Sequence, residues 1–214
     1  MSVLSEFTQG SDSSVSRDEG PDDAQVENLV RSCAEGDEQA FESLVEIYQH
    51  KVYGLAWQLL KDADEAEDIA QEVFISCYRN IGNFRMESKF STWLYRITVN
   101  TVKNRWKYHQ RRKKKRHVSM DEPLSEDDDR TLDPADTRPN PRQEAEGQEI
   151  SVRLHDALDA LPLEQREVMV MRFMQDMQYE EIADALDLSL GTVKSRINRA
   201  RKRVREMMGD AIEG

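Results

Sequence analysis

Apolar residues recur along most of this chain at intervals of three and four, and that spacing predicts helices throughout. From about Asp22, Val26, Leu29, Val30 and Cys33 fall on one side of a helix that ends at Gly36. A longer helix follows, with Ala40, Phe41, Leu44, Val45, Tyr48, Val52, Leu55, Ala56 and Leu59 as its core stripe. Over Asp62 to Ile81 the buried side is Ile69, Val73 and Cys77, after which Gly82 and Asn83 break the chain into a loop. The helix after that loop reads with Leu94, Ile97 and Thr101 inward and Thr98 beside them. Beyond Ile150, Leu154, Ala157, Leu158 and Leu161 make a short helix stopped by Pro162, and Glu164 to Met174 make another. The expected fold class is all-α.

The last stretch, Tyr179 to Arg205, is the most informative. Ile182, Ala183 and Leu186 share one helix side, Asp187 to Ser189 interrupt the pattern, and a second helix begins near Ser189. Val193, Ile197, Ala200 and Val204, spaced four, three and four apart, form one narrow buried stripe. The opposite face is thereby determined: Ser195, Asn198, Arg199 and Lys202, flanked by Lys194 and Arg196. A short helix, a turn and a second helix with a cationic face is the helix-turn-helix arrangement, whose second helix lies in the major groove. A basic helix on a solvated surface is the plainer alternative. Against it, Gly191 and Thr192 suit close approach of phosphate to a helix N-terminus, and the seven Lys or Arg between Lys194 and Arg205 have no acid among them.

Charge changes the picture of the remainder. A net charge of −12 over 214 residues is unexpected for a nucleic-acid binder, but the charges are segregated. Nine Lys or Arg and no acid lie between Lys103 and Arg116. From Ser119 to Glu149 the balance inverts, with eleven acids, three Arg and four Pro. Such a segment cannot bury enough apolar surface to fold alone, and it reads as a linker between two helical domains. The acidic, Ser- and Gly-containing N-terminus reads as disordered, with no apolar run that would make a signal peptide or a membrane span.

Three stretches of the first domain carry candidate chemistry. Asp62, Asp64, Glu65, Glu67, Asp68 and Glu72 crowd the first half of one helix. A few acids there complement the helix dipole; six exceed that need, and docking of a basic partner and simple solvation remain equally good readings. In the loop, Phe84 and Phe90 flank Arg85 and Lys89, the combination with which proteins stack and neutralise single-stranded nucleic acid. Either ring alone is more simply an anchor into the core. On the next helix Trp93, Arg96, Asn100, Lys103 and Lys107 are spaced three, four, three and four, with Asn104 adjacent, which gathers an aromatic, amides and cations on one side.

No HExxH, GxxxxGK or GxSxG pattern occurs and the four His are scattered, so no catalytic residue, metal ligand or cofactor site is expected. Cys33 and Cys77 sit within apolar helical patterns without ligand spacing and read as free thiols in a reducing cytosol.

Taken in order, these motifs resemble those of bacterial sigma factors of the extracytoplasmic-function (group IV) class, close to the sigma-E type. The resemblance covers roughly Val26 to Arg116 and Ile150 to Met208, in GDEQAFESLVEIYQHKVYGLA, DAEDIAQEVFISCYRNIGNFR, FSTWLYRITVNTVKN, LPLEQREVMVMR and YEEIADALDLSLGTVKSRINRAR. It implies an initiation factor with no enzymatic activity of its own. It implies that the segment Asp68 to Ile81, with Asp68, Ile69, Gln71, Glu72 and Phe74, binds the clamp helices of the largest subunit of core RNA polymerase, with the flap region as a second contact. It implies that Phe84, Arg85, Lys89, Phe90, Trp93, Arg96, Asn100, Lys103 and Asn104 open and read the minus-ten element as non-template single strand. It implies that Thr192, Lys194, Ser195, Arg196, Asn198 and Arg199 read duplex at minus thirty-five. An anti-sigma factor, a stress-linked role and a cytoplasmic location belong to the same expectation.

The implied organisation is a disordered extension over 1–22, sigma region 2 over 23–117, an acidic linker over 118–149 and sigma region 4 over 150–214. Two features depart from the family pattern: Gln178 stands where Ser is common, which predicts a weaker N-cap, and Asn198 stands where relatives often carry an aromatic. The acidic linker, tethered between two basic faces, is expected to compete with phosphates for them. The competing functional reading is a helix-turn-helix regulator acting without core binding, but the first 117 residues show neither βαβ alternation nor a pocket signal.

Overall fold

The computed structural model describes residues 22–116 and 153–209, with the side chains of 113–116 excepted. The linker over 118–149, the extension before Asp22 and the side chains of the KKKR run therefore lie outside the described residues, as does the expected competition by linker acids. Among the described residues the regular elements are all helical, as the apolar period predicts.

Helix α1 (Asp23–Ala34) ends at Gly36, which takes φ +97°, a conformation open to glycine without strain. Helix α2 (Glu38–Leu60) starts on Asp37, whose carboxylate accepts from the Gln39 and Ala40 N–H groups at 2.9 and 3.2 Å. Helix α3 (Ala63–Asn80) starts on Asp62, which accepts from the Glu65 N–H at 2.9 Å. Each such cap contributes about 1 kcal/mol to its helix. A 3-10 turn (Ile81–Asn83) and a short loop lead into α4 (Phe90–Arg116). After the linker come α5, helical over 153–159, then α6 (Leu163–Phe173), α7 (Tyr179–Leu186) and α8 (Leu190–Met208).

The predicted stripes of α1 to α3 are the buried ones, and α8 buries Val193, Ile197, Ala200 and Val204 as read. Helix α4 corrects the reading. Its interior side is Leu94, Tyr95, Thr98, Val99 and Val102, whereas Ile97 and Thr101 are only half-buried. Because α4 packs against both α2 and α3, it is covered over a wider arc than a single stripe describes. The Thr98 hydroxyl is accommodated inside by donating to the Leu94 carbonyl at 3.0 Å.

The two halves are in contact. Helix α6 packs on α2, α7 packs on α4, and the buried residues of both halves form one contiguous apolar cluster. Consecutive residues Val168, Met169, Val170 and Met171 of α6 are all buried, so this helix is covered on every side.

Candidate nucleic-acid interface

The helix-turn-helix is built by local chemistry. Asp187 ends α7 in the left-handed region at φ 53°, and the Leu188 N–H returns to the Ala183 carbonyl at 2.9 Å. Ser189 then caps α8, accepting from the Thr192 N–H at 3.1 Å while the two hydroxyls lie 2.8 Å apart. At the start of α7 the cap expected to be weak is supported by Glu181, whose carboxylate accepts from the Gln178 N–H at 2.8 Å. With the apolar stripe of α8 buried, Lys194, Asn198 and Arg199 are exposed. Thr192 and Ser195 are half-buried, and the Ser195 hydroxyl is occupied in donating to the Thr192 carbonyl at 2.9 Å. Arg196 is also half-buried and is held by two acids of α6, Glu164 at 2.9 Å and Glu167 at 3.0 Å.

The second candidate face lies on the 3-10 turn, the loop and α4. Phe84, Phe90 and Trp93 form a ring cluster, with centroids 5.0 Å apart for Phe84 and Trp93 and 6.0 Å for Phe84 and Phe90. Phe90 is buried against Tyr48 and makes the floor, so for this ring the core-anchor alternative describes what is seen. Phe84 and Trp93 remain half-exposed and, with Arg85, Arg96, Asn83, Glu87 and Ser88, line an open cleft of about 330 Å³. None of Trp93, Arg96, Asn100, Lys103 and Lys107 is buried, so the three-four line along α4 does follow one accessible side. Asn104 is exposed and borders a separate cleft with Arg105, Glu65 and Glu72.

The acidic helix has its own partner, which the sequence did not reveal. Arg105 of α4 lies against α3, 2.8 Å from Glu65 and 3.7 Å from Asp68, and its guanidinium also donates to Glu72. Burial alone would pull its pKa down, yet Glu65 and Glu72 hold it above the ordinary arginine value. Asp68, Glu72 and Gln71 are exposed and Phe74 is half-buried. Ile69 is fully buried in the core stripe with Val73 and Cys77, so it supports that face from beneath and forms no part of it. Two apolar side chains absent from the sequence expectation, Ile75 and Tyr78, are about half-exposed further along the helix, and Tyr78 meets Phe41 edge-on at 4.9 Å.

Between the halves, candidate DNA-facing cations meet acids. Lys103 lies 3.0 Å from Glu167 of α6, and Glu167 is 0% exposed. Burial pushes the Glu167 carboxyl up from its ordinary range, and the cations Lys103 and Arg196 oppose that shift. Lys89 lies 3.3 Å from Asp23 and 3.5 Å from Glu181 of α7, and its hydrogen bond to Asp23 is the main reason its pKa is raised. Asp184 of α7 lines the aromatic cleft. Away from these faces, Lys61 pairs with Asp159 at 3.0 Å, and Arg166 donates to the Leu59 carbonyl at 3.0 Å. Among the described residues no group of His, Cys, Asp or Glu is arranged to hold a metal ion, and no helix is long and apolar enough to cross a membrane.

Comparison with known proteins agrees with this geometry. The family model for sigma-70 region 2 matches residues 44–112, and that for sigma-70 region 4 matches 151–204. The RNA polymerase sigma-H factor of Pseudomonas aeruginosa is 38% identical over 180 residues, which cover 84% of this chain and 92% of the relative. The ECF RNA polymerase sigma factor SigW of Bacillus subtilis is 34% identical over 86% of this chain and 97% of its own length. The sigma-E factor of Escherichia coli is 36% identical over 82% and 90%. Among solved structures, CnrH in complex with the cytosolic domain of CnrY has a TM-score of 0.61 at 22% identity, covering 87% of this chain and 97% of that one. The sigma factor RpoE of Bartonella quintana, in complex with the anti-sigma factor NepR, has a TM-score of 0.60 at 23% identity, covering 78% and 96%. At these identities the structural likeness concerns the fold, and the sequence relatives carry the family: the chain belongs to the extracytoplasmic-function sigma factors of the sigma-70 family.

Proposed function

We propose that this sigma factor divides its work among three surfaces, with 23–117 and 150–214 as the working domains. The exposed side of α3, with Asp68, Gln71, Glu72, Phe74, Ile75 and Tyr78, takes the clamp helices of core RNA polymerase. The cleft of Phe84, Arg85, Trp93 and Arg96, extended along α4 by Asn100, Lys103 and Asn104, receives the non-template strand of the minus-ten element. The outer face of α8, centred on Lys194, Asn198 and Arg199, reads duplex at minus thirty-five. The factor contributes positioning and strand capture, and bond formation belongs to the polymerase.

The observation that carries this assignment is the difference in kind between the two cationic faces. One presents a rigid helix with polar and cationic side chains and no exposed ring, as duplex readout in the major groove requires. The other sets half-exposed rings beside arginines in a cleft, as an unstacked base requires. The same reading includes work in the cytoplasm, a contact of the C-terminal domain with the polymerase flap, restraint by an anti-sigma factor and a role in stress responses. Run-off transcription with purified core enzyme tests it: core plus this chain starts at discrete sites on genomic fragments. Trp93→Ala lowers initiation on duplex templates more than on templates already opened at minus ten. Equal losses on both templates would remove the strand-opening role from this cleft.

A further inference from the structure

The arrangement of the two halves bears on when those surfaces are available. We infer that the free factor closes on itself, its C-terminal domain covering its own single-strand face, with Glu167 as the latch. This rests on the reading of the aromatic cleft and α4 as a strand-binding face. Glu167 of α6 is fully buried with one cation from each candidate DNA face, Lys103 and Arg196, each 3.0 Å away. A carboxylate taken wholly out of water needs such compensation, and these two cations supply it only while the halves are together. Two further acids of the C-terminal domain stand at the same face: Glu181 is 3.5 Å from Lys89, and Asp184 borders the cleft of Phe84, Trp93 and Arg96. All three carboxylates therefore occupy ground that strand phosphates would take. The far end of the contact is fastened by Lys61 with Asp159 and by Arg166 on the Leu59 carbonyl.

The closure is selective. Lys194, Asn198 and Arg199 stay exposed in the closed form, so duplex contacts by α8 are left largely open while the cleft is covered. Once the halves part, water solvates Glu167, and Lys103 and Lys89 are released for phosphate. The device acts as an intramolecular competitor, and it is built from helical acids of the C-terminal domain.

The test uses the full-length chain and the Lys61–Asp159 pair, which lies outside every surface assigned above to DNA or polymerase. Lys61→Glu places like charges at the fastening and also makes the protein more acidic, so any gain in DNA affinity cannot come from added positive charge. Small-angle scattering of Lys61→Glu shows a larger radius than the parent. Its affinity for a fluorescent mixed-sequence single-stranded 20-mer rises about tenfold, as expected when the competent fraction rises tenfold. Affinity for a duplex of the same length changes little. Lys61→Glu/Asp159→Lys, which restores the pair in reverse, returns both radius and single-strand affinity to parental values, and Glu167→Gln reproduces the opening. Unchanged radius and affinity in Lys61→Glu overturn the latch. A larger radius with no gain on the single-stranded probe overturns the masking and directs doubt to the assignment of the cleft itself.

Discussion

Arg105, on the helix proposed to read the minus-ten strand, donates to Glu65, on the acidic helix proposed to meet the polymerase, across 2.8 Å. One guanidinium thus ties the two working surfaces of the N-terminal domain, with Glu72 and Asp68 as further partners. Arg105→Met is expected to lower the stability of the chain by about 1.5–3 kcal/mol, the range for hydrogen bonds to charged groups, as read from urea denaturation. A change within about 0.5 kcal/mol, the ordinary surface value, would show that the cluster is ornamental.

Asp68 gives the complementary case. Its side chain is 67% exposed and its contact with Arg105 is the longest in the cluster, 3.7 Å. An exposed pair of this kind contributes about 0–1 kcal/mol. Asp68→Lys should therefore fold with nearly parental stability and lose affinity for core polymerase in a competition against the parent. Parental competition would leave the acidic face as solvated surface.

On the recognition helix, exposed side chains should separate into those that specify and those that only attract. Lys194→Ala and Asn198→Ala are each expected to lose about 1–3 kcal/mol on a preferred minus-thirty-five duplex, and much less on unrelated duplex. Arg203→Ala, also exposed but off the face centred on Asn198, should weaken both duplexes about equally and reduce the salt slope. A uniform loss from Asn198→Ala would reassign it to positioning.

Alkaline pH tests the core of the N-terminal domain. Burial pushes the Cys77 thiol up to about 12 from an ordinary 9.0, with Cys33 nearby adding to the shift. The unfolded thiol has lost its proton in that window while the folded one keeps it. The stability due to this group is therefore complete below pH 9.0 and is lost as pH rises toward about 12, with a slope of about 1.4 kcal/mol per pH unit. Urea midpoints between pH 7 and 10 should fall beyond 9, and Cys77→Ser, which does not titrate there, should flatten that fall. Identical slopes would mean that water reaches Cys77 in the folded chain. Tyr48, pushed up to about 12 by burial, takes over the slope only above the ordinary tyrosine value of 10.0.

What the sequence disclosed follows from how each helix is covered. Helix α8 has one narrow buried line, so Val193, Ile197, Ala200 and Val204 announced it and, by exclusion, its exposed face. Helix α4 lies between two neighbours, so the single-stripe rule chose Ile97 and Thr101 where Tyr95, Val99 and Val102 do the packing. The ring cluster was legible as aromatics beside cations, but only three-dimensional packing divides Phe90, the floor, from Phe84 and Trp93, the walls. Glu167 and Arg105 were passed over because their partners sit on other helices, and spacing along one helix says nothing of them. One local sign existed for Glu167: it lies one turn after Leu163 and one turn before Met171, a charged residue on a line of apolar ones.

The all-round burial of α6 gives the closed form a threshold. A helix with no polar side cannot be separated from α2 without wetting some of Val168, Met169, Val170 or Met171, and wet apolar area opposes separation by about 25 cal/mol for each Å². A brief encounter with random DNA offers a few screened phosphate contacts and falls short of that toll. Core polymerase, holding both domains at once, exceeds it. The greasy helix at the seam thereby works as a discriminator, keeping the strand-capturing cleft shut along the excess of chromosome where it has no use.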